Sequence, residues 1–221
     1  MSPNVVPGTL PCPIGPSPHW PSGRLAGGRL TSRPVGRAPR IQPIEGSLHV
    51  TARGVRRDRI FLDDADRRMF MALLAQSVYR CRWTCLAYCL MTNHFHLVLS
   101  LSDTNLSAGM HRLNGLYARR FNERHGYVGH LFEARYASMV IRSEAHFLDA
   151  IRYVVLNPVT AGLCDDPADW EWSSFRATAG LERSPRFLAA ARVRAHFGRG
   201  SRAAESYATF VRDRAELLLR T

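Results

Sequence analysis

The sequence predicts an α+β sandwich, with helices packed against an antiparallel sheet. Three observations carry this expectation. Strand-like and helix-like segments alternate along the chain, two apolar strands are joined by the short turn Thr92-Asn93, and the runs between strands repeat their apolar residues at helical spacing.

Residues 47–52 (SLHVTA) read as a first strand. Asp63 and Asp64, with Asp66 close behind, open a periodic run to about Tyr79. Carboxylates there cap free N–H groups and favour the positive end of a helix dipole, and Phe70, Leu73, Leu74 and Val78 form its apolar stripe. Residues 83–91 are apolar enough for a central second strand, and 94–101 return as a third. A basic helix is expected over 106–124, closed by Gly126, then a fourth strand over 131–141. Ser143 opens the next helix with Glu144 in its first turn. Pro158 is expected to stop it just after Asn157, because proline disfavours helical geometry in the residue before it.

Residues 1–40 hold most of the prolines, five arginines and no acidic residue, and are predicted to be a disordered basic tail. Residues 41–180 form the folded domain. Residues 181–221, with helical stretches at 187–197 and 203–219, read as an arginine-rich accessory extension.

The chain of 221 residues carries a formal charge of +12, and all of its basic side chains except histidine are arginine. That surplus points to a polyanionic partner, most simply nucleic acid, for which the planar guanidinium is suited. GC-rich codon usage explains arginine over lysine but not the net excess. Five cysteines, an odd number with no secretory signal before them, argue against a disulfide framework. Cys85 and Cys89, four apart, are expected on one face of the second strand as small hydrophobes. No apolar run approaches membrane-spanning length, so the protein reads as cytoplasmic and nucleoid-associated.

Two local patterns carry chemistry. Alternation along the third strand places His94 and His96 on one face with Phe95 on the other. Two adjacent imidazoles can hold a divalent ion that polarises a phosphate oxygen. The alternative is a pair of histidines on a solvated sheet face, but Leu97, Val98 and Leu99 mark a buried strand, where idle histidines are costly. On the helix after Ser143, the stripe Phe147, Leu148, Ile151, Val154 and Val155 faces the core. At about 100° per residue, Tyr153 falls nearly opposite, with Asn157 one turn on and His146 and Asp149 below. A tyrosine so placed is either a surface residue without a role or a nucleophile. The row suits the second, with the Asn157 amide oxygen beside it able to complete a cation's shell and His146 or the ion assisting phenol deprotonation.

The blocks AYCLMTNHFHLVL, YARRFNERHGYVGHLFEARYASMVI, RYVVLNPVTAGL and WEWSSFRA, in that order and spacing, resemble the single-tyrosine HUH transposases in their REP-associated branch. The resemblance covers about 41–180. It implies a ferredoxin-like (RRM-like) catalytic domain, Mg²⁺ or Mn²⁺, and metal-assisted cutting and rejoining of single-stranded DNA near hairpins through a covalent phosphotyrosine. On that mapping His94 and His96 are the metal pair, Tyr153 the nucleophile and Asn157 a third ligand. Tyr117 in YARRFN is a rival nucleophile. Arg112, Arg119, Arg120 and Arg124 on the basic helix, with Arg135, are candidates to bind DNA phosphates, the alternative being a solvated basic face. A catalytically idle hairpin-binding protein and a rolling-circle initiator are the competing readings. Assembly of the site within one chain or across a homodimer is left open.

Overall fold

The computed structural model describes residues 46–219; the basic tail expected over 1–40 lies outside them. The chain runs β1 (Gly46–Arg53), α1 (Asp64–Cys81), β2 (Thr84–Leu90), β3 (His94–Leu101), α2 (Leu106–His125), β4 (Ala137–Ile141), α3 (Glu144–Thr160), α4 (Phe175–Thr178), α5 (Ala190–Arg194) and α6 (Ser201–Leu219). The strands form one antiparallel sheet in the order β2-β3-β1-β4. This is the ferredoxin-like arrangement of the predicted α+β class, and it makes β1 and β3 the central pair.

Period-2 alternation sorts the side chains of these two strands. Leu48, Val50 and Ala52 of β1, with Phe95, Leu97 and Leu99 of β3, pack against α1 and α2 through Phe70, Leu74, Leu113 and Tyr117. The opposite face packs on α3 through Val98, Ile151, Val154 and Val155, and α6 extends that same cluster with Tyr207 and Val211.

Helix ends follow the expected chemistry. The Asp63 carboxylate accepts from the Asp66 amide at 3.0 Å and the Ser143 hydroxyl from the His146 amide at 3.1 Å. Pro158 does not stop α3 as expected, and the helix continues to Thr160. A proline this near the C-terminus removes one helical hydrogen bond but leaves the later amides free to bond. The terminus is instead a Schellman-like turn. Gly162, at φ +65°, donates to the Val159 carbonyl and Leu163 to that of Pro158, both at 2.9 Å.

Three further expectations are corrected. β2 is an edge strand, not a central one; it is buried because the WEWSS segment docks along its edge. Leu90 donates to the Trp172 carbonyl at 2.8 Å, Ser174 to the Tyr88 carbonyl at 2.9 Å, and the Trp170 indole to the Leu90 carbonyl at 3.2 Å. Cys85 and Cys89 lie on opposite faces, because a β-bulge between Cys85 and Ala87 inserts one residue and flips the alternation. The fourth strand spans only Ala137–Ile141; the residues before it reach the sheet through an isolated bridge, Gly54 to Phe132.

Candidate active site

The α3 face of the central strands collects Ser47, His49, Thr51 and Arg53 from β1 beside His94, His96 and Val98 from β3, since each lies one residue out of phase with the core set. The His94 and His96 ring centroids are 4.9 Å apart, nearly perpendicular at 81°. His49 stacks on His96 at 5.1 Å, and its Nε2 lies 2.9 Å from His96 Nδ1. The Tyr153 ring meets both edge-on, 5.6 Å from His96 and 5.7 Å from His49. Tyr153 therefore faces the sheet beside the histidines rather than open solvent.

Hydrogen bonds fix which ring nitrogens are free. The Asn93 amide nitrogen donates to the Arg57 carbonyl at 2.9 Å. Its oxygen, 2.7 Å from His94 Nδ1, therefore accepts a hydrogen bond from the Nδ1–H of that ring. His94 Nε2 then keeps its lone pair. His96 Nε2 is buried and has no hydrogen-bond partner among the described residues. An unpaired buried N–H costs more than a free lone pair, which favours Nδ1–H donating to His49 Nε2 and an unprotonated Nε2. Asn157 donates from its amide nitrogen to the Tyr153 carbonyl at 2.8 Å, leaving its oxygen for the site. It lies close enough to bear on His94, His96 and Tyr153 alike.

Electrostatics agree with neutral donors. Burial, then the charge of nearby Arg53, lowers His94 to about 4. Burial and the neighbouring imidazoles hold His96 well below its ordinary value. Burial, with His146 second, lowers His49 to about 4. Desolvation raises the Tyr153 phenol, opposed by Asn157 and Arg53. Among the described residues no three His, Cys, Asp or Glu side chains are arranged to hold a metal ion; His49 spends its Nε2 on His96. The available donor set is two neutral imidazoles and one amide oxygen, with an orphaned buried nitrogen among them, and such a mixed nitrogen and oxygen set can coordinate a divalent cation without selecting a hard one.

Other residues singled out from sequence lie elsewhere. Tyr117 is fully buried on the opposite face of the sheet, its hydroxyl donating to the Ile60 carbonyl, and it is out of reach of the histidines. α2 packs on that face too, so its arginines stand away from the site. Arg119 pairs with Glu123 at 2.8 Å, and Arg124 grips Asp63 and Asp66 at 2.6 Å each. Arg112, Arg120 and Arg135 are exposed. His146 acts on His49. Sequence reasoning passed over His49 and Arg53. The signal was present in SLHVTAR, whose alternation sets both on the face away from Leu48 and Val50.

The family model described as "Transposase IS200 like" matches residues 44–155. A solved structure of a REP-associated tyrosine transposase bound to a REP hairpin superposes with a TM-score of 0.56 at 17% identity, over 70% of this chain and 92% of that one. A Deinococcus radiodurans R1 protein provisionally described as a transposase gives a TM-score of 0.39 at 17% identity, over 53% and 95%. No curated protein matches the chain.

Proposed function

The chain belongs to the IS200-like transposase family, and from that premise we propose that it cuts and rejoins single-stranded DNA near hairpins, with Tyr153 as nucleophile. The carrying observation is the Tyr153 ring set edge-on against His96, whose Nε2 is buried and orphaned. The hairpin part of the reading, and the assignment to the REP-associated branch, rest on the sequence blocks and on the fold shared with the hairpin-bound relative.

A Mg²⁺ or Mn²⁺ ion held by His94, His96 and the Asn157 oxygen would polarise the phosphate and spread its developing charge. The chain's own residues do the rest. His49 and Asn93 hold the two imidazoles in orientation through their Nδ1 atoms. The phenol oxygen of Tyr153 bonds to phosphorus as the bond from phosphorus to a deoxyribose oxygen breaks. The phenol proton passes to solvent water, and the departing oxygen takes up a proton from solvent. A phenol is ordinarily protonated at neutral pH and burial raises this one further, so loss of the proton has to accompany the attack. Because the phosphotyrosine conserves the phosphoester bond, rejoining needs no ATP.

The test is incubation of the full chain with hairpin-bearing single-stranded DNA and Mg²⁺. A denaturant-resistant adduct is expected, absent in Tyr153→Phe and suppressed by EDTA. Adduct that survives Tyr153→Phe removes the nucleophile assignment, and undiminished yield in EDTA removes the ion.

A further inference from the structure

The end of β1 and the turn beyond it form a basic element beside the histidine cluster. Arg53 is the last residue of β1 on the histidine face, and its register partner on β3 is His94. Its charge bears on His94, His96 and Tyr153. Among the described residues no carboxylate pairs with Arg53, Arg57 or Arg59, and Arg56 has only Asp58, at 3.7 Å with both side chains exposed. Four arginines in the seven residues 53–59 therefore stand against one aspartate. This contrasts with α2, where Arg119 and Arg124 are consumed by ion pairs.

The turn is also tightly built. Arg56 and Arg57 both adopt left-handed backbone, at φ +52° and +64°. Side chains other than glycine rarely take that conformation, and it clusters at functional sites. Gly54 is required there, since a Cβ would fall 2.2 Å from the Asp58 carbonyl oxygen. Bonds from Gly54 to the Asn93 carbonyl at 2.9 Å, from Val55 to that of Leu131 at 3.0 Å and from Glu133 to that of Arg53 at 3.0 Å pin it from two sides. The Asn93 side chain that orients His94 also holds the Arg57 carbonyl. Thus the turn and the imidazole pair share one support.

Guanidinium groups on a braced turn, without a carboxylate partner among the described residues at Arg53 and Arg57 and with only a long, exposed contact to Asp58 at Arg56, match a phosphodiester chain beside a tyrosine and two imidazoles. The geometry points to Arg53 as a catalytic residue that grips the phosphate under attack, with Arg56 and Arg57 holding the next phosphates of the same single strand. This rests on the reading of Tyr153 as the residue that cleaves single-stranded DNA. Arg53 offers two parallel N–H donors to the non-bridging oxygens and stabilises the charge that grows on them as the phenol bonds.

Binding measured without turnover separates the two readings. Tyr153→Phe chain is titrated with a hairpin carrying single-stranded flanks and with the same hairpin trimmed of them. Adding Arg53→Gln is expected to weaken the flanked oligonucleotide about tenfold, to lower the slope of log affinity against log salt by about 0.7, and to spare the trimmed one. Arg53→Lys, which keeps the charge, is expected to hold the parental slope, and Arg56→Ala with Arg57→Ala to lower it again. Equal losses on both oligonucleotides, or none on the flanked one, overturn the assignment. So does an Arg53→Lys slope matching Arg53→Gln. Failure of the wild-type chain to form an adduct sinks the cleavage reading instead, while this comparison still decides whether Arg53 binds the strand.

Discussion

On the α1–α2 face of the sheet, Tyr117 is fully buried and its hydroxyl donates to the Ile60 carbonyl, while His125 and Arg124 converge on the buried Asp66 carboxylate. On the α3 face, Tyr153 is only partly buried, three imidazoles crowd together, and His96 Nε2 has no partner among the described residues. Both faces carry a tyrosine, histidine and arginine close together. One face gives each of these three a polar partner, and the other leaves a nitrogen and a guanidinium unspent. Partnered groups contribute stability; unpartnered ones in a preorganised setting are available for chemistry.

Exchanging the two tyrosines' fates is the most demanding challenge to this contrast. Tyr117→Phe is expected to lower stability by about 1–2 kcal/mol, because it strands a buried carbonyl, and to leave adduct formation intact. Tyr153→Phe is expected to abolish the adduct with little change in melting temperature. Adduct loss in Tyr117→Phe protein that still folds would show that the faces are not divided in this way.

His49 tests the orienting role by a smaller effect. His49→Ala is expected to weaken Mn²⁺ binding, read by electron paramagnetic resonance, roughly 10–100-fold. His49→Gln, whose amide oxygen can accept the same N–H, is expected to recover most of it. Unchanged binding in His49→Ala would leave the His49–His96 contact a packing feature.

The smallest effect belongs to the partnered face. Its hydrogen bonds to Arg124 and the Asp66 amide hold the Asp63 carboxyl at about 2 against an ordinary 3.8. A carboxylate depressed on folding binds fewer protons in the native state, so its stabilisation is whole above the ordinary value and is lost as pH falls through the lower one. Asp63→Asn is therefore expected to flatten the acid limb of the stability curve between those values without altering DNA affinity. A parallel rise in DNA affinity, from an Arg124 released by one of its two carboxylates, would return Arg124 to the role expected of it from sequence.

Much of the α3 face was legible in advance. The period of a strand sets His94 and His96 together, and the period of a helix sets Tyr153 one turn from Asn157, whatever surrounds them. The Asp63 and Ser143 caps were equally local. By contrast the bulge that separates Cys85 from Cys89, the docking of the WEWSS segment on β2, and the capture of Arg124 by Asp63 and Asp66 depend on packing beyond a single element, and none was read.

Residue order alone thus dictated which side chains share a face within one element, because backbone geometry imposes that repeat locally. It took the packed fold to lay β1 beside β3, which brings His49 onto His96 and Arg53 beside His94, and to turn Tyr117 away from them. Strand order and register are set by burying both faces of the sheet at once, and no single segment carries that information.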